Sequence, residues 1–452
     1  MIPSKRQFQF LFLAALVALA LLASRLFIVQ PSTLAASSSA LSESLSFFWQ
    51  AIVIGFLLAI TIDAVRDRKI KDFIVERDIP HSLALGAKTN IALRIENPYQ
   101  FNIGLLITDS YPRQIVVSEL PIETRLLANS SKTLNYSIIP KERGEATFGK
   151  LCMRITSRWG FWQRQLWLGE EAVAKIYPNF STVSYLAKLG LEQQAAYLGI
   201  HFQQRRGSGS DFHQLREFRE GDALRQIDWK ATARYRKPIS KDYQDERDQT
   251  IVFMLDCGRQ LRNQDGELSH FDHALNALLL TGHVALRQGD AVGLLSFAGD
   301  ERWLSPKKGP ATINQISNQI YDLQSTLSTS DYLKAAEDLL ARHRKRSLII
   351  IITNIQHDTG DDLISAIKLL QKNHLVLVAS LRNEFLEEIV TTPVDHFSAA
   401  LNFCETSAYF QERSRLNNQL RSSGVFLTDE LPQRLHIGLV NEYLKLKRSG
   451  RI

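Results

Sequence analysis

The chain has 452 residues, 45% of them hydrophobic and 22% charged, with a formal net charge of +7. That length exceeds one ordinary core, so two or three folded units are expected, and the composition is globular rather than disordered or fibrous. The modest charge excess, carried partly by residues flanking apolar runs, excludes a general nucleic-acid surface, and three widely spaced cysteines, Cys152, Cys257 and Cys404, without a CxxC or Cys/His cluster, suggest neither a zinc site nor a disulfide framework.

Lys5 and Arg6 precede an apolar run of about 20 residues, FQFLFLAALVALALLASRLFIV, long enough to cross a bilayer of about 30 Å, with Arg25 near its far end. A second run, Phe47 to Val65, is followed at once by Arg66, Arg68, Lys69 and Lys71, whereas the connection from Pro31 to Ser46 holds no Lys or Arg. The positive-inside rule then predicts a transmembrane hairpin over residues 1–72 with both ends in the cytoplasm. A cleaved signal peptide is the alternative for the first run, and the basic flank of the second would still hold the rest of the chain inside.

Residues 73–180 change to short alternating runs, FIVERDI, TNIALRIEN, IGLLITD, TLNYSIIP, EATFGKLCMRIT and AVAKIYP, punctuated by Asn, Pro and Gly, which predict a small β-sandwich. The aromatic cluster Trp159, Phe161, Trp162 and Trp167 is expected to fill it. Residues 181–249 follow as a linker. Ser181 to Gln204 reads as a helix, and Arg205 to Ser210 as a basic Gly-rich loop whose spacing fits neither GxxxxGK[ST] nor GxGxxG after a strand, so phosphate binding is not expected. Between Arg205 and Asp248 stand 11 Lys/Arg and 9 Asp/Glu interleaved with aromatics. So dense and balanced a charge pattern points to ion pairs within the chain or with a partner that carries both signs, not to nucleic acid. Trp229 and Phe218 are expected as core anchors.

From residue 250 to 452 strands alternate with helices. TIVFMLD, AVGLLSF, SLIIIITN and LVLVASL are nearly continuous apolar runs suited to parallel strands covered on both faces, helical patterns lie between them, and GVFL is expected at an edge. The fold class is therefore α/β: a doubly wound, mostly parallel sheet preceded by the sandwich and the hairpin. In such sheets ligands sit at the carboxyl ends of the strands, where Asp256 and Asn354 fall. Cys257 gains no activation from the neighbouring Asp256 carboxylate, and His270 and His273 read as helix-surface residues, so no catalytic constellation is expected.

The string Leu215, Arg216, Glu217, Phe218, Gly221, Asp222, Arg225, Ile227, Asp228, Trp229, Lys230, Ala231, Ala233 and Arg234 resembles the signature of the DUF58 family, bacterial proteins that join this motif to a von Willebrand factor A (vWA)-like domain. Arg143-Gly144, Phe148-Gly149 and Trp159-Gly160-Phe161 are similar to the family's turn pattern, with Trp159 and Arg158 in place of a Phe and a Pro. The resemblance implies a vWA-like sheet whose metal-ion-dependent adhesion site is built on DxSxS plus a later Thr and Asp, oxygen ligands that suit Mg²⁺. Here Asp256 matches the first Asp, but Gly258 and Gln260 replace the serines and Asn354 the later Asp. Thr329 or Ser330 is left to supply the loop hydroxyl. A degenerate site of this kind is expected to hold no cofactor, with Asp256 capping a helix or paired with Arg259 or a motif arginine.

By the same resemblance the chain is expected to be a non-enzymatic adaptor in the inner membrane, working with a MoxR-type AAA+ ATPase on a client protein. The other class is a metal-dependent or hydrolytic enzyme using the cleft at Asp256. Arg216, Phe218, Arg219, Asp222, Arg225, Asp228, Trp229 and Lys230 form the expected interaction motif. So many charges are poorly explained by stability alone, since surface pairs contribute roughly 0 to 1 kcal/mol each, and docking is the preferred role.

Overall fold

The computed structural model describes residues 2–27, 35–67, 73–179, 211–219, 222, 224–244, 249–356 and 360–451, so the expected helical linker and basic loop over 181–210 lie outside the described residues. The chain divides into two compact units, Met1–Ile176 and Tyr177–Ile452.

The first unit begins with a two-residue strand β1 (Ile2–Pro3) and the helices α1 (Lys5–Phe27) and α2 (Ala35–Asp67). Within the described residues one stretch, Phe47–Arg66 of α2, is long and apolar enough to cross a membrane, and Gln7–Leu19 of α1 is a shorter apolar helical run. Eleven strands follow: β2 (Ile74–Asp78), β3 (Ser82–Ala84), β4 (Thr89–Asn97), β5 (Ile103–Thr108), β6 (Ile115–Ser118), β7 (Ile122–Leu126), β8 (Ser130–Pro140), β9 (Gly144–Phe148), β10 (Leu151–Thr156), β11 (Trp162–Leu168) and β12 (Ala172–Tyr177). They pair in the orders β2-β4-β8-β6, β1-β11-β10-β5-β7 and β3-β12-β9. The core between these sheets takes alternate residues of the strands, among them Ile91, Leu93 and Ile95 of β4, Leu105 and Ile107 of β5, and Met153 and Ile155 of β10. The expected sandwich is therefore present, although the run EATFGKLCMRIT divides at Gly149 into strands of two different sheets.

One buried polar cluster links the sandwich's sheets. Asp109, just after β5, accepts from Arg77 Nη1 of β2 at 2.6 Å and from the Tyr136 hydroxyl of β8. Burial and the adjacent Asp109 carboxylate push the Tyr136 hydroxyl far above its ordinary range, so it remains a donor.

The aromatic cluster is placed elsewhere than expected. Trp159 is 44% and Trp167 57% exposed. Phe161 instead packs edge-on against Phe56 of α2 and Phe10 of α1, and Trp162 donates its indole N–H to the Ile60 carbonyl of α2 at 3.0 Å. A period-2 pattern marks the inward face of a strand but says nothing about a turn, and Trp159, Phe161 and Trp162 lie in or beside the turn joining β10 to β11, whereas Trp167 stands near the far end of β11.

The second unit opens with an antiparallel pair, β13 (Asp211–Glu217) and β14 (Ile239–Gln244), between which runs a short helix α3 (Trp229–Tyr235). The main sheet consists of β15 (Thr250–Asp256), then, after the small pair β16 (Gln264–Asp265) and β17 (Leu268–Ser269) and helix α4 (His270–Arg287), of β18 (Ala291–Phe297) and β19 (Trp303–Lys307). Helices α5 (Ala311–Ile320) and α6 (Tyr332–Arg342) lead to β20 (Leu348–Thr353), and α7 (Gly360–Leu370) to β21 (Leu375–Leu381). Helices α8 (Glu384–Thr391) and α9 (Phe397–Ser422) precede β22 (Phe426–Glu430), and α10 (Leu435–Arg448) closes the chain.

The strand order is β19-β18-β15-β20-β21-β22, all parallel except the β19 edge. Every residue of β15, β18 and β20 is buried, as their unbroken apolar runs require. Alternate side chains serve two cores. Ile251, Phe253 and Leu255 face α4, α5 and α10, while Val252 and Met254 face α6, α7 and α9. The expected edge strand is β22. The β19 edge, α3 and α8 were not marked by the periodicity.

The order places the reversal of the winding between β15 and β20, since the chain first builds outward to β18 and then returns past β15. Asp256 and Thr353 end these two strands at that switch point.

Candidate functional site

Asp256 is fully buried, and its carboxylate is met by four donors. Oδ1 accepts from the Gly258 N–H at 2.8 Å and the Ser330 hydroxyl at 2.6 Å. Oδ2 accepts from Thr353 Oγ1 at 2.7 Å and the Tyr332 hydroxyl at 2.9 Å. A carboxylate offers about four lone-pair positions, so each has a protein donor. Burial, and next the Asp256 charge, push the Tyr332 phenol well above its ordinary value, which keeps it protonated and donating.

The loops that supply these donors are tied to each other. Cys257 N–H donates to Phe297 O at 2.9 Å, Thr326 N–H to Cys257 O at 2.7 Å, and Arg259 N–H to Ser328 O at 3.0 Å. Asp331 caps α6 by accepting from Lys334 N–H at 2.8 Å, which sets Ser330 and Tyr332 on either side of it toward Asp256. Of Thr329 and Ser330, it is Ser330 whose hydroxyl reaches Asp256. Asp256, expected to cap a helix or face an arginine, is met instead by hydroxyls and one backbone N–H, because the strand end it occupies is closed over by the 326–332 loop.

Gly258 and Gln260, which stand where the resemblance expects serines, flank this network. A Cβ on Gly258 would lie 2.3 Å from Ser330 Oγ and 2.9 Å from Ser328 O, so only glycine fits. Gln260 is fully buried. Asn354, also buried, accepts from Arg413 Nη1 at 3.0 Å and donates to Asn383 Oδ1 at 3.3 Å. Among the described residues no group of three or more His, Cys, Asp or Glu side chains converges to hold a metal.

Arg413 of α9, which nothing in the sequence singled out, gathers the ends of three strands. Nη1 also donates to Ile355 O at 2.6 Å, and Nη2 to Ser380 Oγ at 2.8 Å, Leu381 O at 2.7 Å and Asp429 Oδ1 at 2.7 Å. Its side chain is 4% exposed. Tyr332, Thr353 and Arg413 were missed because hydroxyls and lone arginines are common at any position. The only available hints were that Thr353 precedes Asn354 at a strand end and that Tyr332 follows Ser330 by two residues.

The interaction motif lies on the β13–β14 pair and the segment between them. Arg216 of β13 grips Asp222 with two bonds, 2.7 and 2.8 Å, and Asp222 also accepts from Arg219 N–H at 2.9 Å. The Arg216 guanidinium, foremost, holds the Asp222 carboxyl below its usual range. Asp228 caps α3 by accepting from Lys230 N–H and Ala231 N–H, both at 3.0 Å, and lies 3.3 Å from Lys241 Nζ. The Ala231 N–H bond leads in lowering its carboxyl as well.

These two acids are therefore engaged within the motif, whereas Arg219, Arg225 and Lys230 are exposed. Phe218 is half-buried and its N–H donates to Pro238 O at 2.9 Å. Trp229, expected as a core anchor, is 70% exposed because it occupies the first, outward turn of α3, and Leu224 beside it in sequence is 74% exposed. His270, read as a surface residue, is fully buried at the start of α4, with Nε2 2.8 Å from Asp265 Oδ2, because the β16–β17 pair folds over it.

Fold and site together define a doubly wound α/β unit with a donor-saturated switch-point carboxylate, joined to a β-sandwich unit carrying one candidate membrane-crossing helix. Residues 214–392 match the family model described as "Protein of unknown function DUF58", which supports the DUF58 family and covers both the motif and the switch point. No curated protein matches. Among solved structures, Salmonella alpha-2-macroglobulin reacted with methylamine is 17% identical over 23% of this chain and 7% of that one, with a TM-score of 0.19. The FixG-related protein from Vibrio parahaemolyticus is 10% identical over 23% of this chain and 94% of that one, TM-score 0.17. The cupredoxin domain of amoB from Nitrosocaldus yellowstonii is 7% identical over 24% and 84%, TM-score 0.17. The matched region thus amounts to a small part of the alpha-2-macroglobulin chain.

Proposed function

We propose that this protein is a membrane-anchored, non-enzymatic adaptor whose DUF58 motif docks a MoxR-type AAA+ ATPase, bringing it to a client protein at the cytoplasmic face of the inner membrane. The observation that carries this reading is the division of labour in the motif. Asp222 and Asp228 are satisfied inside it, which leaves Arg219, Arg225, Lys230, Leu224 and Trp229 presented to solvent as a basic and apolar face. Exposed Trp and Arg are the residue types that dominate protein interfaces. The α/β unit is read as vWA-like, on the strand order with its antiparallel edge and on the Asp that ends the first strand. The anchor is read as a two-span hairpin, on the apolar stretch of α2 and the contact of Phe10 with Phe56 at 5.4 Å.

The enzymatic alternative draws no support from Asp256, whose four acceptor positions are met by protein donors and which has no exposed surface. Capture of the ATPase by the full chain tests the docking reading. Arg219→Glu with Arg225→Glu is expected to abolish capture while the melting temperature stays within a few degrees, since the Asp222 carboxylate takes its hydrogen bonds from the Arg216 guanidinium and the Arg219 backbone N–H, which both remain. A double variant that still captures the ATPase overturns it.

A further inference from the structure

We propose that the turn joining β10 to β11, residues 157–162, is a lipid-interface element that lies against the bilayer and closes the membrane end of the helix pair. This inference rests on the membrane-anchored reading of α2. The partner it fits is the phospholipid interface itself.

Asp63 lies in the stretch of α2 that is long and apolar enough to span a bilayer, yet it is only 3% exposed. Its carboxylate accepts from the Ser157 hydroxyl at 2.6 Å and from Trp159 N–H at 3.4 Å. Three residues earlier, the Ile60 carbonyl accepts from the Trp162 indole. A carboxyl group facing hydrocarbon without partners is costly, and here its partners come from one turn of the sandwich, which also reaches a helix carbonyl already engaged within α2.

The same turn holds the other helix. Ser4, just before α1, donates its N–H to Phe161 O at 2.9 Å and its hydroxyl to Gly160 O, and β1 pairs with β11. The Phe161 ring then lies between Phe56 and Phe10, with centroids at 5.3 and 6.1 Å.

Depth follows from helix geometry. At 1.5 Å per residue, Ile60 is about 9 Å and Phe56 about 15 Å below Arg66 along the axis. The headgroup layer is about 5 to 7 Å thick on each side of a hydrocarbon core of about 30 Å. With Arg66 at the outer edge of the headgroups, Ile60 falls near their inner edge and Phe56 within the acyl chains. The turn that touches both residues cannot stand clear of the bilayer. On the two helices Phe10, Phe12, Leu57, Leu58 and Val65 are 51 to 71% exposed. Trp159, with nearly half its surface free, and the exposed Arg158 then lie where amphipathic rings and snorkelling cations are favoured.

The test uses the full chain reconstituted in phosphatidylcholine vesicles. Trp159→Cys is made with Cys152→Ser and Cys404→Ser, since Cys257 is fully buried and out of reach of a label. The new thiol is labelled with an environment-sensitive fluorophore, and Arg158→Cys serves as a second site if the first variant does not fold. Vesicles whose lipid carries a doxyl quencher near the headgroup end of the acyl chain are expected to reduce the emission by roughly half or more, with a blue shift, as for an interfacial side chain. Flotation of the same vesicles distinguishes the outcomes. A chain that floats with the vesicles but keeps its emission unquenched overturns this inference and leaves the anchor standing. A chain that does not float overturns the anchored reading and this inference with it.

Discussion

A side chain at position 258 would have no room: its Cβ would meet Ser330 Oγ at 2.3 Å and Ser328 O at 2.9 Å, although the backbone, at φ −81°, suits any residue. The glycine is there for space, so that the Ser330 hydroxyl can reach Asp256. Gly258→Ser, which would bring the sequence nearer to DxSxS, is therefore expected to destabilise the second unit by about 1 to 3 kcal/mol through overpacking. Denaturant unfolding of the variant beside the wild type measures this, and an unchanged midpoint would show that the 326–332 loop yields. At the same scale, Asp256 illustrates what one sequence position leaves open. Its place at a strand end was legible, but its four donors come from residues 2 to 97 positions away.

Among the elements, α9 is fastened to the sheet by Arg413, which ties its inner face to the ends of β20, β21 and β22. Arg413→Met keeps the stem's packing but removes the donor to the strand-end carbonyls and the charge partner of Asp429, 15% exposed, which keeps only the Asn417 amide at 2.9 Å. Breaking a buried pair costs on the order of 3 to 5 kcal/mol, so the variant is expected to lose a substantial part of a typical domain's stability of about 5 to 15 kcal/mol. Thermal melts followed by circular dichroism read the outcome, and a loss below about 1 kcal/mol would place Arg413 among the weak surface pairs instead. The N-terminal part of α9 behaves differently. Phe397 is 78% and Leu401 49% exposed, and α8, which precedes it, buries none of its residues.

For the whole molecule, acid is expected to act through histidines before carboxylates. Burial holds His273, His283, His343, His374 and His436 below their ordinary value of 6.5, and His374 is lowered further by its stacked neighbour His343, centroids 6.0 Å apart. Each binds a proton more readily in the unfolded chain. Their contribution is fully present above pH 6.5 and is lost as pH falls toward the depressed folded values. Asp222 and Asp228, lowered from 3.8, act only in much stronger acid. The melting temperature of the full chain is expected to be level from about pH 8 to pH 7 and to fall toward about pH 5. His374→Phe, which keeps a ring in the stack and removes one titration, is expected to flatten the slope. A slope that begins only below about pH 4 would assign the loss to carboxylates.

What the sequence determined by itself was the alternation of elements and the position of the chemistry along the chain. Unbroken apolar runs can be satisfied only by burial on both faces, so TIVFMLD and SLIIIITN specified parallel central strands, and the Asp and Asn that end them marked the switch point. The charged string 215–234 likewise identified the motif without a structure. Three things were decided only by tertiary structure. Trp229 is outside and His270 inside because a helix of seven residues and a two-strand flap set their exposure, and neither has a period long enough to read. Arg413, Tyr332 and Thr353 join the switch point because the strand order brings together loops far apart in sequence. Phe161 and Trp162 left the sandwich core for α1 and α2 because a turn has no inward face of its own, and its aromatics pack on whichever element the fold brings beside it.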